Sequence, residues 1–362
     1  MLKTGMRFRT GLFLMGLALL IRVLSLYPAL IEKTYTYGVY PALSRTMRLI
    51  TGWLPFSLGD LLYAAAGVGI LLFVWTSIKA IRNMGFGQWW KPGLYRVLCT
   101  LMLVYILFNT LWGLNYNRQG IAHQLGLQVQ RYGLAEAIQL TQTLQTRLNL
   151  FAGEVDTLKR TELNANTKLF QKAISVYKEA GATFPFLIYT PPSIKPSIYS
   201  SVGQYFGFTG YYNPFSGEAQ IKTSIPVFLK PFVATHEIAH QLGYAKENEA
   251  NFVAFLSSRQ CSDVDVLYSL YYELYAYAIR EVYSRDTTAA LAFRKTLHPQ
   301  VLRDNEILKA YFKSTENPIE PIITRFYDQY LKLNNQKAGV ETYNQVVALL
   351  IAYAKKNGWR AI

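Results

Sequence analysis

The sequence predicts a mainly helical membrane protein, in which three N-terminal transmembrane helices precede a mostly helical α+β domain with a small β-sheet or hairpin. The first observation is composition: hydrophobic residues make up 51% of the 362 residues and charged residues only 16%, against about a quarter in soluble domains. The second is the position of three long apolar stretches, all in the first third of the chain. The third is a histidine and glutamate motif in the more polar, helical remainder.

The three apolar stretches are expected to cross the membrane at about residues 11–28, 61–78 and 97–114. Each approaches the roughly 20 residues that a transmembrane helix needs. The first stretch has the basic start of a signal peptide, but the bulky residues after Arg22 offer no small-x-small cleavage site. We therefore expect it to be retained. The expected domains are a membrane domain over residues 1–118 and a second domain over residues 119–362.

Positive charges predict the orientation of these spans. The N-terminal arm and the second loop together hold seven Lys or Arg residues, whereas the first loop holds three. Because Lys and Arg favour the cytoplasmic side, the N-terminus is expected in the cytoplasm. Three spans then place the domain after Leu114 outside the cytoplasm, with the lipid bilayer as a partner. If one stretch were instead a buried soluble helix, the side would be reversed.

The net charge of +15 suits contact either with anionic headgroups or with nucleic acid. The sequence has no recognition-helix, RNP-like or cysteine–histidine finger pattern, so no nucleic-acid partner is expected. The two cysteines, Cys99 and Cys261, lie in an apolar segment and in a distant polar region. Neither a disulfide nor a cysteine metal site is therefore expected.

The chemistry of the second domain is expected at the H-E-x-x-H motif of residues 236–240. On a helix, His236 and His240 lie on one face and one turn apart, so that both imidazoles can bind one Zn²⁺. Glu237 lies beside them, where it can act as general base toward a Zn²⁺-activated water. A buried apolar helix with three titratable groups would be costly unless something paired them. We therefore expect a metal-binding helix, which ends at Gly243.

A zinc hydrolase needs a third ligand, and two classes of zinc peptidase suggest where it lies. Metzincins place a histidine three residues after the glycine, but this sequence has Lys246 there, and all six methionines precede the motif, which excludes a later Met-turn. Gluzincins use E-x-x-A-D on a following helix, which the E-x-x-A-N that begins at Glu247 resembles. This resemblance implies a zincin-like domain, Glu247 as zinc ligand and Asn251 as partner of the His236 N–H. Glu249 is the alternative ligand, and both acids could instead serve only the helix dipole.

The short spacing between the motif and Glu247 requires a change of chain direction. Seven residues beyond His240 on a continuous helix is about 10 Å along the axis, too far for both residues to share an ion. Gly243 can adopt the left-handed conformation that ends many helices. The chain is therefore expected to turn back at this glycine.

Prolines and glycines between residues 184 and 223 separate short β-prone runs, which predicts a small sheet or hairpin directly before the metal-binding helix. In zinc peptidases an edge strand at this place commonly holds an extended substrate. We expect residues 218–223 to do so, with an ordinary hairpin as the alternative. Helices are expected at 134–151, 167–180, 252–259, 264–283, 287–297, 301–311, 318–333 and 340–357.

The whole chain also resembles a family of bacterial membrane proteins with three N-terminal spans and an H-E-x-x-H domain. The segments that carry the resemblance are residues 55–60, 112–116, 195–197, 210–218, 236–252 and 343–347. The resemblance implies a multi-pass protein of the bacterial cytoplasmic (inner) membrane with an extracytoplasmic second domain. It implies no activity.

These observations predict a membrane-anchored zinc metallopeptidase, which hydrolyses peptide bonds in a protein or peptide substrate. Its Zn²⁺ ligands would be His236, His240 and Glu247, and Glu237 would be the general base. Two alternatives remain open: a non-catalytic, zinc-stabilised envelope scaffold, and a zinc amidase that acts on cell-wall peptide. An oxyanion donor is also needed. The tyrosines considered for this role, each better explained by packing, are Tyr211 and Tyr212 before the motif and Tyr271, Tyr272 and Tyr275 after it.

Overall fold

The structure is a computed structural model that describes residues 2–201, 203, 207–339 and 345–362, with side chains from residue 9 onward. Over these residues the fold is mainly helical with one three-stranded sheet, as the sequence predicts. Phe206, in one of the β-prone runs, and residues 340–344, in the last expected helix and resembling segment, lie outside the described part.

The N-terminal region is built from α1 (Leu2–Leu24), α2 (Pro28–Thr51), α3 (Leu58–Met84) and α4 (Phe86–Leu111). Among the described residues, α3 and α4 are each long and apolar enough to cross a membrane. They contain the spans predicted at 61–78 and 97–114, except that α4 ends at Leu111. The span predicted at 11–28 is not shown by itself, since α1 and α2 are bent by 98° and meet the criteria only together. Arg22 interrupts the apolar run of α1, which leaves that run short of a span.

The helical hairpin of α3 and α4 is attached to the C-terminal region at both of its free ends. At the start of α3, the Glu218 carboxylate accepts hydrogen bonds from the backbone N–H groups of Leu58 (3.2 Å) and Gly59 (2.6 Å). A carboxylate at a helix N-terminus is also favoured by the helix dipole. Directly after α4, the Trp112 indole donates to the His240 carbonyl at 3.0 Å. The turn that joins α3 to α4 is one helix length away, about 40 Å.

The sheet comprises β1 (Ile194–Pro196), β2 (Gly210–Asn213) and β3 (Glu218–Ile221) in the order β1-β3-β2. In it, β3 pairs in parallel with β1 and antiparallel with β2. Every residue of β3 is buried, and both of its edges are used by neighbours. The expectation that residues 218–223 hold a substrate at the sheet edge is therefore wrong. Within the described sheet, β2 is the edge strand next to the H-E-x-x-H motif.

The C-terminal region is helical at the places where periodicity predicts helices. Its longer helices are α5 (Leu134–Glu154), α6 (Asn166–Thr183), α7 (Lys230–Gln241), α8 (Glu247–Ser258), α9 (Val264–Arg285), α10 (Thr287–Lys295), α11 (Pro299–Thr315), α12 (Glu320–Leu333) and α13 (Val346–Asn357). Leu140, Leu144 and Leu148, which lie one turn apart on one face of α5, are fully buried in the main core. This core surrounds α7 and α8 and holds them in fixed positions.

Glu218→Gln is expected to destabilise the protein by about 1–3 kcal/mol, because the carboxylate and one acceptor are lost at the buried Gly59 N–H and the part-buried Leu58 N–H. The thermal unfolding midpoint of the detergent-solubilised chain would measure this loss. The matched control is Glu162→Gln, which changes an exposed carboxylate paired with the exposed Lys168 and should unfold near the wild-type temperature. Equal midpoints for the two variants would contradict the role of Glu218.

Candidate metal centre

The two histidines of the motif lie on α7, all of whose residues are buried. Pro231 lies in the first turn of the helix, where a backbone N–H would have no partner within the helix, so the missing N–H of proline costs no hydrogen bond. Ala234 and Ile238 pack into the main core, and His236, Glu237 and His240 face a cavity. The helix ends just before Gly243, as the sequence predicts.

The turn after α7 depends on Gly243. Its φ is +90°, in the left-handed region that favours glycine. The Tyr244 N–H bonds back to the Ala239 carbonyl at 3.2 Å, as in a Schellman helix end. A Cβ at Gly243 would lie 2.9 Å from a ring carbon of Tyr40. Both the conformation and the close approach therefore require glycine, and the turn places Glu247 at the start of the next helix.

The turn brings Glu247 against both histidines. Its Oε2 atom lies 3.2 Å from His236 Nε2 and 3.5 Å from His240 Nε2. The two imidazole rings are 4.7 Å apart at 89°, and one ligand atom from each of the three residues lies within 4.8 Å of the others. The three buried side chains thus form a group that could hold a metal ion.

Glu249, the alternative third ligand, points elsewhere. Its carboxylate pairs with Lys246 Nζ at 3.3 Å and lies against the backbone of Gly120. It is not part of the group formed by the two histidines and Glu247. The structure therefore brings together the three residues expected as ligands and leaves the alternative outside.

Hydrogen bonds orient one of the two imidazoles. His240 Nδ1 lies 2.7 Å from the Tyr244 carbonyl. Because a carbonyl only accepts, Nδ1 carries a proton, and Nε2 is the ring nitrogen directed toward Glu247. The Asn251 amide, expected to accept from the His236 N–H, lies near that ring, but its favourable effect on the charged imidazole is smaller than the cost of burial, so the pKa of His236 is lowered. In the described part of the chain, His236 Nδ1 and both amide atoms have no hydrogen-bond partner, and the expected hydrogen bond is not formed.

Tyr327 orients Glu247, and no sequence signal pointed to it. The Tyr327 hydroxyl, on α12, donates to Glu247 Oε1 at 2.7 Å, which leaves Oε2 for the histidines. The Glu247 backbone N–H donates to the Gln336 side chain at 3.0 Å. Tyr327 is one of 27 tyrosines and lies 80 residues from its partner, so neither spacing nor periodicity could select it.

Burial and charge shift the pKa values of these groups in a consistent pattern. Burial lowers the pKa of His240, but attraction to Glu247 outweighs it and raises the pKa to about 9. Burial opposes the charge of Glu247 too, yet the histidines hold its pKa well below the usual range. Burial lowers the pKa of His236. Among the protein groups alone, Glu247 is thus an anion that shares a proton with His240, and a cation could take the place of that proton.

The donor set fits a divalent metal. Two imidazole nitrogens and one carboxylate oxygen are a ligand set that Zn²⁺ uses in catalytic sites, where a fourth position stays open. The fit also explains why the Oε2 atom of Glu247 is buried without a hydrogen-bond partner among the residues that the structure describes. A buried carboxylate oxygen without a donor is costly unless a cation or a proton lies next to it.

Glu237 lies beside this group and next to the edge strand. Burial raises its pKa to about 8, and its Oε2 atom has no hydrogen-bond partner among the described residues. A Cβ at Gly210, the first residue of β2, would lie 2.7 Å from Glu237 Oε1. The strand can therefore approach the carboxylate this closely only because position 210 is glycine.

The group opens into a cavity of about 2720 Å³. Four of the five tyrosines considered as oxyanion donors line it, and Tyr271 does not. The Tyr211 hydroxyl donates a hydrogen bond to the Asp60 carboxylate, and the Tyr272 hydroxyl donates one to the Asn305 side-chain oxygen at 2.6 Å. The oxyanion donor thus stays unassigned.

Residues 35–351 match the family described as a protein of unknown function, DUF3810. The chain belongs to this family. The match covers the candidate metal centre and both candidate spans of this DUF3810 protein, and it carries no activity. No curated protein and no solved structure matches the chain. Membership of a family without an assigned activity is therefore confirmed, while the resemblance to gluzincins stays a prediction.

Glu247→Gln should weaken Zn²⁺ binding to the DUF3810 protein by more than the roughly 10- to 100-fold expected for a residue outside the ligand set. The reason is that the change removes the only anionic donor of the group. Chelator competition on the purified chain would measure the affinity. Glu249→Gln, two residues away on the same helix, is the matched control and should bind Zn²⁺ like the wild type. The reverse result would reassign the third ligand.

Tyr327→Phe removes only the hydroxyl that orients Glu247 and should lower Zn²⁺ affinity by about 10- to 100-fold. The control is Tyr330→Phe on the same helix, whose hydroxyl contacts Tyr116 at 3.3 Å and not Glu247. The same competition assay, together with unfolding midpoints, separates loss of orientation from loss of fold. Equal affinities of both variants would show that Tyr327 does not orient the carboxylate.

Proposed function

We propose that this protein is a membrane-anchored zinc metallopeptidase, which hydrolyses peptide bonds in protein or peptide substrates. One observation carries the proposal. His236, His240 and Glu247 converge in a buried group, and Glu237 lies beside them at the wall of a cavity. Two imidazoles and a carboxylate suit Zn²⁺ with an open position, and a neighbouring carboxylate is the base that such hydrolases need.

When bound, Zn²⁺ supplies a Lewis acid that activates water and polarises the scissile carbonyl. Glu237 accepts the proton of the attacking water and then gives it to the leaving amine. Burial favours the neutral form of the Glu237 carboxyl, which is the form it takes between the two steps. His236 and His240 hold the reacting centre in place, and Tyr327 keeps Glu247 turned toward them.

The edge strand β2 supports a peptide as substrate. It lines the cavity, and its first residue lies next to Glu237. One edge of β2 pairs with β3, and the other is open in the described sheet. An extended peptide that paired with this open edge would pass the carboxylate of Glu237.

The attachment of the α3–α4 hairpin supports an extracytoplasmic site. The free ends of α3 and α4 contact the C-terminal region, so the turn between them lies at the opposite membrane face. The basic residues around that turn are Lys79, Arg82, Lys91 and Arg96. Because Lys and Arg favour the cytoplasm, we place this turn in the cytoplasm and the site outside it, in the bacterial cytoplasmic (inner) membrane.

The packing of α1 supports a third span. A Cβ at Gly11 would lie 3.2 Å from the Tyr95 ring, near the start of α4. Ile21 shares a buried cluster with Ile106, near the end of α4. The two helices therefore run side by side in the same direction, which favours a third crossing by α1 and an N-terminus in the cytoplasm.

A non-catalytic, zinc-stabilised scaffold is the second candidate. It is favoured by the position of the group between α7 and α8, since a cation there would also tie the two helices together. A zinc amidase acting on cell-wall peptide would use the same centre and differ only in its substrate.

Glu237→Gln distinguishes these candidates. It should keep about one Zn²⁺ per chain, because Glu237 is not a ligand, and lose about 100- to 10,000-fold in hydrolysis. Metal analysis and amine release from peptide libraries, with Glu249→Gln as control, would measure both. A wild-type chain that binds no Zn²⁺ would overturn the centre. A chain that binds Zn²⁺ but cleaves neither proteins nor cell-wall peptide would establish the scaffold.

A further inference from the structure

The cavity of the candidate metal centre also follows a candidate membrane span. Its wall includes Leu101, Val104, Tyr105 and Phe108 of α4. These positions recur at intervals of three and four residues and thus form one face of the helix. Since a helix rises 1.5 Å per residue, Leu101 lies about 15 Å from the end of α4 at Leu111. The cavity therefore reaches about half-way through the roughly 30 Å hydrocarbon layer.

The metal centre lies at the end of this span. Trp112 follows α4 directly, and its indole donates to the His240 carbonyl at 3.0 Å. The Trp112 ring also meets the His240 ring edge-on at 6.0 Å. A group in the reacting position is thus close to the level at which α4 leaves the membrane.

The opposite wall of the cavity also suits a membrane surface. On α12, Ile323, Tyr327 and Tyr330 line the cavity, and Tyr330 packs against Phe108 of α4 at 6.3 Å. A neighbouring stripe of the same helix, outside the cavity wall, exposes apolar side chains, with Ile322 at 53% and Phe326 at 72% exposure. A helix with such a stripe beside a span favours the interface, with the stripe in the lipid.

We propose that the substrate is a membrane-anchored polypeptide, cut where its apolar segment leaves the bilayer. The inference rests on the proposed peptidase function. The apolar segment lies along the cavity face of α4, and the residues that follow it pair in extended form with β2 beside Glu237. Hydrolysis breaks the peptide C–N bond, with the water hydroxyl going to the carbonyl carbon and its proton to the amine. The edge strand favours a polypeptide over a lipid, because an acyl chain has no backbone to pair with it.

The test uses the full chain in nanodiscs with a peptide library made in two forms. One form carries a 20-residue Leu/Ala membrane segment, and the other lacks it. The anchored form should be cleaved with a kcat/KM at least about 10-fold higher, since burial of one large apolar side chain is already worth about that factor.

Two variants of α4 locate the groove. Leu101→Trp fills the cavity face and should lower the anchored-to-unanchored ratio of kcat/KM by about 10-fold. Leu103→Trp is the matched control, because Leu103 is also exposed on α4, at 46%, but does not line the cavity. It should leave the ratio unchanged.

A second readout does not depend on activity. In Glu237→Gln, an anchored peptide with a diazirine in its apolar segment should crosslink to α4, and Leu101→Trp should reduce this crosslink while Leu103→Trp should not. Equal cleavage of both peptide forms, with no crosslink to α4, would overturn the inference and leave the peptidase function intact. Hydrolysis of phosphatidylethanolamine vesicles without any peptide cleavage would overturn both in favour of a lipid substrate.

Discussion

A left-handed turn at Gly243 brings the Glu247 carboxylate back onto the two imidazoles of the preceding helix. On a continuous helix the same residues would be about 10 Å apart along the axis, and the group could not form. Two side chains bind the last turn of α7, directly before this turn. The Trp112 indole donates to the His240 carbonyl at 3.0 Å, and the Tyr40 hydroxyl donates to the Gln241 carbonyl at 2.8 Å. Because Tyr40 and Trp112 belong to the N-terminal region, the centre is assembled jointly by the helices around the candidate spans and by the C-terminal core.

The buried charges of the centre depend on one another. A lone buried carboxylate or imidazolium would be strongly unfavourable. Here Glu247 is stabilised by His240 and by the Tyr327 hydroxyl. Burial raises the pKa of Glu237 to about 8, and among the described residues its Oε2 atom has no hydrogen-bond partner that would stabilise the charged form. Two carboxylates ten residues apart in sequence thus have opposite pKa shifts, which is the usual basis for giving one a structural and the other a proton-transfer role.

The contact between the α3–α4 hairpin and the C-terminal region explains where the cavity lies. The Glu218 carboxylate of β3 binds the first turn of α3. Trp112, directly after α4, donates a hydrogen bond to His240 of α7. The sheet and α7 therefore both lie at the free ends of the α3–α4 hairpin, opposite its turn. The cavity between them is bounded by one face of α4, which is a candidate membrane span. The predicted division into a membrane domain over residues 1–118 and a second domain over residues 119–362 stays a prediction.

The sequence alone determined the features that rest on local periodicity and chain length. These are the two clear candidate spans, the helices of the second region, and the pairing of His236 with His240 one turn apart. Tertiary structure decided what depends on chain direction and on distant partners. The choice of Glu247 over Glu249 required the path of the turn, because both acids begin the same helix. The strand order β1-β3-β2 places β2 at an edge of the sheet and the strand of residues 218–221 in its middle. Strand order depends on contacts between distant segments, which the sequence does not show. Tyr327 reaches Glu247 from 80 residues away, a distance over which the sequence carries no pattern.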